Sequence, residues 1–353
     1  MSLTRRSLLA GSAALSSAAV LAGRASATGI EMTGTPEPWS SPVGGEMVVY
    51  SGRNEKLVGP LLEDMKEDIG VDISVRYGNT AELAATILEE GDNSPADVYF
   101  AQDAGALGAL AKAGVLAPLP EDLLDKVDPR FRSTDGLWIG SSARARVLAY
   151  NTENVDAATL PASVEALTDP AWSGTIGWAP TNASFQTFIT AFRLLKGEDA
   201  ARAWLEGMIA NNMTAFEGNA DVVRAVASGE LLGGLVNHYY KYEITREEGH
   251  EIPVDNHFFA PGDVGSLVNV AGVAILKSTE HAEQADAFVR FLLGVEAQEY
   301  FAEQTAEYPV ADDVEPFYDD LPPLAEIQGP EVDLNDLDDL EGTLELLTDL
   351  GLI

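Results

Sequence analysis

The chain has 353 residues, 46% of them hydrophobic, no cysteine, and 21 basic against 57 acidic side chains, a formal charge of −36. That charge excludes nucleic acid and anionic membrane surfaces as partners, because both are bound through basic footprints. The missing cysteine excludes disulfides, thiolate metal sites and thiol nucleophiles.

The length exceeds one typical core and predicts two domains. Acids spread along the whole chain point to adaptation to high salt, where screening removes the cost of self-repulsion. At the N-terminus, Thr4-Arg5-Arg6-Ser7-Leu8-Leu9 is a twin-arginine pattern. A small-residue apolar run to Ala22 and the cleavage pattern Ala25-Ser26-Ala27 follow it. Residues 1–27 read as a signal peptide, too short and too rich in Ala and Ser for a good membrane span. The expectation is an exported protein, soluble or held to the membrane through an uncleaved signal. Residues 28–45, rich in Pro, Ser, Thr and Gly, read as a disordered leader.

Met47-Val48-Val49-Tyr50 reads as a buried strand ended by Ser51-Gly52. Apolar residues from Leu57 to Ile69 follow at helical spacing, with Gly70 closing the helix. Val71–Tyr77 alternates as a second strand. Thr80 is expected to cap a helix through Leu83, Ile87 and Leu88, closed at Gly91. Ala96–Phe100 and Ala104–Ala113 supply a third strand and helix. This rhythm means βαβ units and a parallel sheet, whose ligands bind beyond the carboxyl ends of the strands. Ser51–Asn54, Asn79–Thr80 and Ala101–Asp103 are therefore the loops of interest.

A second unit starts near Trp138. Ser142–Asn151 reads as a long strand with Arg144 and Arg146 two apart, able to hold an oxyanion or merely to neutralise acids. Thr175–Pro180 leads through Thr181–Ser184 into a helix from Phe185 to Leu195, whose start is an anion site or plain capping. Ser266–Leu276 reads as a strand long enough to return to the first domain. Helices are expected at Glu283–Leu293 and Val295–Phe301, and an acidic amphipathic tail over Asp333–Asp349. The four histidines form no His-Glu-x-x-His, and no Gly-x-Ser-x-Gly occurs, which leaves a secreted metal-dependent hydrolase a remote reading.

The stretch Val236-Asn237-His238-Tyr239-Tyr240-Lys241-Tyr242 carries the chemistry. A phenolate is a hard, anionic oxygen, and the ion that most rewards a pair of them is ferric iron. A phenol with a pKa near ~10 binds this way when a multivalent cation displaces its proton. Neighbours on a strand point to opposite faces, so joint coordination by Tyr239 and Tyr240 requires a turn or a helix start here. Otherwise the pair is strand-end packing.

Together, the stretches VVYSGRNEKLVGPL, EEGDNSPADVYFAQDAGALGALAKAGVLAPLP, SARARVLAYN, TIGWAPTNASFQTF, VNHYYKYE and GDVGSLVNVAG resemble the ferric-iron-binding proteins of bacterial and archaeal ABC importers. The resemblance runs from Val48 to about Pro309 and implies the type II periplasmic binding-protein fold. Two α/β lobes (46–145 with 269–318, and 146–268 with 319–353) would be joined by hinge strands at Arg146–Asn151 and Val268–Val273. It implies that Tyr239 and Tyr240 ligate ferric iron. The family's histidine position falls on Asn54, and its carboxylate position on Gln102 with Asp103 beside it. A synergistic anion, phosphate or carbonate, would be held by Asn182, Ala183, Ser184, Asn219 and Asn237, with Arg53, Arg144 and Arg146 as further cleft contacts. The implied protein is a monomeric carrier that delivers its cargo to a cognate ABC permease and catalyses no reaction. The rival within the fold is a carrier of thiamine, a polyamine or phosphate.

Overall fold

The computed structural model describes residues 42–311 and 314–353. The signal segment 1–27 and the leader as far as residue 41 lie outside the described residues. The leader's last residues, 42–45, are bonded into the sheet edge. Val43 N–H donates to the Ile69 carbonyl, and Gly45's carbonyl accepts from Asp72 N–H, both at 2.9 Å.

The first unit runs β1 (Glu46–Ser51), α1 (Glu55–Ile69), β2 (Asp72–Tyr77), α2 (Thr80–Glu90), β3 (Val98–Ala101) and α3 (Ala104–Ala113). A short helix α4 (Glu121–Leu124) precedes the long strand β4 (Ile139–Asn151). The second unit holds β5 (Ile176–Trp178), α5 (Ala183–Lys196), α6 (Glu198–Ala210), β6 (Thr214–Ala215), α7 (Asn219–Ala227), β7 (Gly233–Asn237), α8 (Tyr240–Glu248) and β8 (Val254–His257). Then β9 (Val268–Ile275) returns, followed by α9 (Ala282–Leu292), α10 (Val295–Gln304) and the terminal α11 (Leu340–Asp349).

Local chemistry sets these boundaries. Asn54 caps α1 by accepting from Lys56 N–H at 2.9 Å. Gly70 ends the helix at φ 68°, a left-handed turn that costs glycine little. The expected cap on α2 moves by one residue. Asn79 accepts from Ala81 N–H at 2.9 Å, the Asx geometry a short amide side chain makes most readily. This leaves the Thr80 hydroxyl free to bridge two loops. Its Oγ1 donates to the Gly52 carbonyl and accepts from Gln102 N–H, both at 3.3 Å. Two of the loops beyond the strand ends are thus held together.

The nine strands of the described residues form one sheet in the order β2-β1-β3-β9-β4-β7-β5-β6, with β8 also on β4. β1, β2 and β3 are parallel, as are β5, β6 and β7. The long strands β4 and β9 run antiparallel to their neighbours. Up to Ala145, β4 pairs with β9, and from Arg146 onward with β7. The sheet therefore passes from one lobe to the other at Ala145–Arg146, where Arg146 N–H donates to the Leu267 carbonyl at 2.9 Å. The second crossing is at Leu267–Val268. The expected hinge stretch Val268–Val273 lies inside the first lobe's sheet, since it pairs with Ile139–Ala145. Edge-to-face aromatics fill the second lobe's core, with Phe188 and Trp204 centroids 5.6 Å apart and Trp178 and Phe185 5.5 Å apart. Phe100 against Phe288, at 6.2 Å, anchors the first.

The tail touches both lobes rather than the second alone. Trp138 Nε1 donates to Asn335 at 2.8 Å, and Asp338 pairs with Lys112 at 2.8 Å, both in the first lobe. The next residue, Asp339, pairs with Arg193 of α5 at 2.9 Å. Two glycines of α3 admit this strap: a Cβ on Gly108 would lie 2.7 Å from the Asn335 carbonyl oxygen, and one on Gly105 would lie 2.5 Å from that of Leu337. Helix propensity alone would make Gly108→Ala stabilising by about 1 kcal/mol. Overpacking against a backbone costs about 1–3 kcal/mol and reverses the sign. The expected result is a lower melting temperature and earlier proteolytic release of the tail.

Candidate metal site

Strand β7 delivers the tyrosine pair to the lobe boundary, with Asn237 opposite Arg146 in the ladder. His238 makes the turn. Its backbone N–H donates to the Ala145 carbonyl at 3.0 Å, and its Nδ1 accepts from Ala145 N–H at 3.2 Å. With Nδ1 accepting, Nε2 carries the proton and donates to the Ala306 carbonyl at 2.8 Å. Burial pushes this imidazole down to about 4, so it is a neutral structural clamp. The chain then turns helical at Tyr239 (φ −70°, ψ −20°), which serves as the N-cap of α8.

That helix start meets the geometric condition for joint use of the phenols. The two rings lie 4.4 Å apart, inclined at 32°, and both line one cavity. The side chain of Asn237 lies near the Tyr239 phenol and that of Asn219 near the Tyr240 phenol, and the two phenols lie within each other's field. Burial raises both phenols above their usual range, with Arg144 pulling Tyr239 partway back. Without a cation the pair is protonated at neutral pH.

The cavity, about 360 Å³, lies between the lobes. On the second lobe its wall includes Asn182, Ala183, Ser184 and Asn237 beside the tyrosines. Asn182 caps α5: its Oδ1 accepts from Ser184 N–H at 3.0 Å, Ser184 Oγ at 2.6 Å and Asn219 Nδ2 at 3.3 Å. Behind Ser184, Arg146 donates to Ser184 Oγ at 3.3 Å and to the Leu235 carbonyl at 3.1 Å. Burial pushes its guanidinium down to about 10, still cationic at neutral pH. A helix N-terminus and the amides of Asn182 and Asn237, with buried Asn219 and the Arg146 cation behind them rather than on the lining, make this wall attractive to an anion, which would compete with Asn182 Oδ1 for its donors.

The first-lobe wall comprises Gly52, Arg53, Asn54, Glu55, Leu57, Tyr77, Gly78 and Gln102. Gln102 presents a carboxamide with no side-chain hydrogen bond among the described residues. Its carbonyl is held by Arg144 Nη2. Asn54 lines the cavity with its oxygen already spent on the α1 cap. Asp103 caps α3 through Ala106 N–H at 3.3 Å and is not among the lining residues, because a cap must point back along its own helix. Arg53 is committed elsewhere, bonded in a fork to Glu307 at 3.0 and 2.5 Å and flanked by Phe100 and Phe301. Arg144 is buried, and its Nε and Nη1 have no partner among the described residues. A larger groove of about 920 Å³, lined in part by Arg130, Pro261, Val268 and Pro330, contains none of the candidate ligands.

Sequence reasoning missed Glu55 and Tyr77. The strand-end rule points at both places, but attention to Ser51–Asn54 and Asn79–Thr80 stops one and two residues short.

Residues 93–333 match the family model described as bacterial extracellular solute-binding protein. The Fe(3+)-binding periplasmic protein of Serratia marcescens is 34% identical over 311 residues, 87% of this chain and 90% of that one. Iron-bound HitA from Pseudomonas aeruginosa superposes with a TM-score of 0.81 at 36% identity, covering 87% of this chain and 99% of its own. A Trichodesmium protein in complex with iron and citrate ligands gives 0.75 at 28% identity, covering 88% and 100%. The chain belongs to the bacterial extracellular solute-binding proteins, among the ferric-iron-binding periplasmic proteins with the type II two-lobed fold.

Proposed function

We propose that this protein captures ferric iron outside the cytoplasm and delivers it to the permease of an ABC importer, without catalysing a reaction. The observation that carries this reading is the pair of phenol oxygens at the start of α8, side by side on the wall of the interlobe cavity. Iron displaces both phenolic protons and is held as a bis-phenolate. Phosphate or carbonate completes the second-lobe half by taking the donors of Ser184 and Asn219 and the field of Arg146. A ligand bonded to both walls favours the closed lobes, which is the only way a ligand can shift that equilibrium. Thiamine or a polyamine would call for acids around its cationic nitrogen, and Glu55 is the one carboxylate among the lining residues. Twin-arginine export, a monomeric state and work in high salt belong to the same proposal, supported by Arg5-Arg6 and the charge of −36.

The test is titration of metal-free protein with ferric nitrilotriacetate and phosphate at neutral pH. A phenolate-to-iron absorption in the visible should grow to one iron per chain, with two protons released from the tyrosines. Because the free phenols hold their protons up to a raised pKa, protons compete with iron and loading strengthens as pH rises. Once the chelator's own protonation is accounted for, the two-proton exchange makes affinity fall by about a hundredfold per unit of acidification. A pH-independent affinity, or iron bound without colour, would contradict the reading.

A further inference from the structure

We infer that Glu55 is the first lobe's anionic ligand to the iron, with Tyr77 as the residue that positions it. This rests on the ferric reading and names the half of the shell that the reading leaves open. The phenolates and the synergistic anion all stand on the second-lobe wall, so closing the cleft on iron needs a ligand from the opposite wall, and a hard trivalent cation favours an anionic oxygen there.

The first-lobe wall leaves few sources. Asn54 could swing to a metal only by uncapping α1, at a cost of about 1 kcal/mol, and it is neutral. Gln102 is neutral, Asp103 is spent on α3, and the Arg53 guanidinium is spent on Glu307. Glu55 is the only carboxylate among the residues lining the cavity. It makes no ion pair and no side-chain hydrogen bond among the described residues, although cations pair with acids throughout the surface. As an acid in the first turn of α1 it gains about 0.3–1 kcal/mol from the helix dipole, but that role needs no place on the cavity wall. Tyr77, half-buried on the same wall, lies beside it. A Cβ on Gly59 would meet Glu55 Cγ at 3.7 Å and Tyr77 Oη at 3.9 Å. The bare backbone at Gly59 thus leaves open a space that the carboxylate stem and the phenol both border. The Tyr77 O–H has no hydrogen-bond partner among the described residues, and it can donate to a carboxylate that has swung onto iron. That is the outer-contact arrangement that orients metal ligands. A carboxylate oxygen also suits a hard cation.

The experiment compares the wild type with Glu55→Gln and Glu63→Gln, each loaded with ferric nitrilotriacetate and phosphate. Affinity is read by chelator competition and lobe closure by X-ray scattering. Glu63 also faces Tyr77 and changes the charge equally, yet it does not line the cavity. Glu55→Gln should keep the visible phenolate band, lose at least about tenfold in affinity, and no longer contract on loading. Glu63→Gln should behave as the wild type. Wild-type affinity and contraction in Glu55→Gln would overturn the assignment. So would an equal loss in Glu63→Gln, which would mean that only the field matters. A wild type that never colours would fail the ferric reading itself, a result distinct from either.

Discussion

Tyr239→Phe and Tyr240→Phe should each weaken iron binding by more than the roughly 10–100-fold that losing an outer contact costs a metal site. The ring stays and only the oxygen goes, so packing between the two rings survives. What is lost is an anionic ligand that nothing else on the second-lobe wall can replace. In the metal-free protein the same changes should be mild. Tyr239→Phe removes one buried hydroxyl and leaves the ring in place, a change that should cost no more than about 1 kcal/mol. Tyr240 itself is part-exposed, so Tyr240→Phe should cost less. Chelator competition and thermal melting of the metal-free forms separate the two effects. A variant with normal melting and much weaker binding is the expected combination.

The largest effect on stability should come from Glu307→Gln. Glu307 accepts from Arg53 twice, from Ser142 Oγ at 3.0 Å and from Thr305 Oγ1 at 3.1 Å, and both charged side chains are shut away from water. Burial pushes the Glu307 carboxyl up, but Arg53, helped by Arg144, more than offsets this and holds it below the usual range. Removing one partner of such a pair costs about 3–5 kcal/mol, because the other charge stays buried and unpaired. The double variant Arg53→Met with Glu307→Leu should recover much of that loss. A depressed carboxylate contributes stability above its unfolded pKa, about 4.3, and loses it as pH falls through the folded value. The wild type should therefore lose stability on acidification below about pH 4, and a Glu307→Gln protein should show less of that acid dependence. Equal acid sensitivity in both would place the titrating group elsewhere.

The parts of this molecule that a reader of the sequence recovers are those written locally. Gly70 sits at a positive φ next to an apolar period of 3.6, and Ala104–Ala113 has both its ends marked by an aspartate and a glycine. Tyr239 and Tyr240 are adjacent, so only the turn that aims them has to be supplied by the fold. The parts that escape are those that join distant segments. Arg53 looks like a cleft cation until Glu307, 254 residues later, is seen to occupy it. Asp103 looks like a displaced metal ligand until its role as a cap on α3 is seen. The tail reads as an acidic helix, but nothing in its composition says that Asp338 and Asp339 divide between the two lobes. Glu55 escapes for the opposite reason: an acid in a first helical turn is so ordinary that its second neighbour, the cavity, goes unnoticed.

The proposed capture of iron, and the closure that follows it, depend on iron being bonded to two neighbouring phenolates. Resonance Raman spectroscopy of the iron-loaded protein, excited in its visible band, reads those bonds directly. Phenolate ring modes should be strong in the wild type, weakened in Tyr239→Phe and in Tyr240→Phe, and gone in the double variant. Stoichiometric iron without phenolate modes, or modes that persist in the double variant, would place the metal elsewhere and contradict the account.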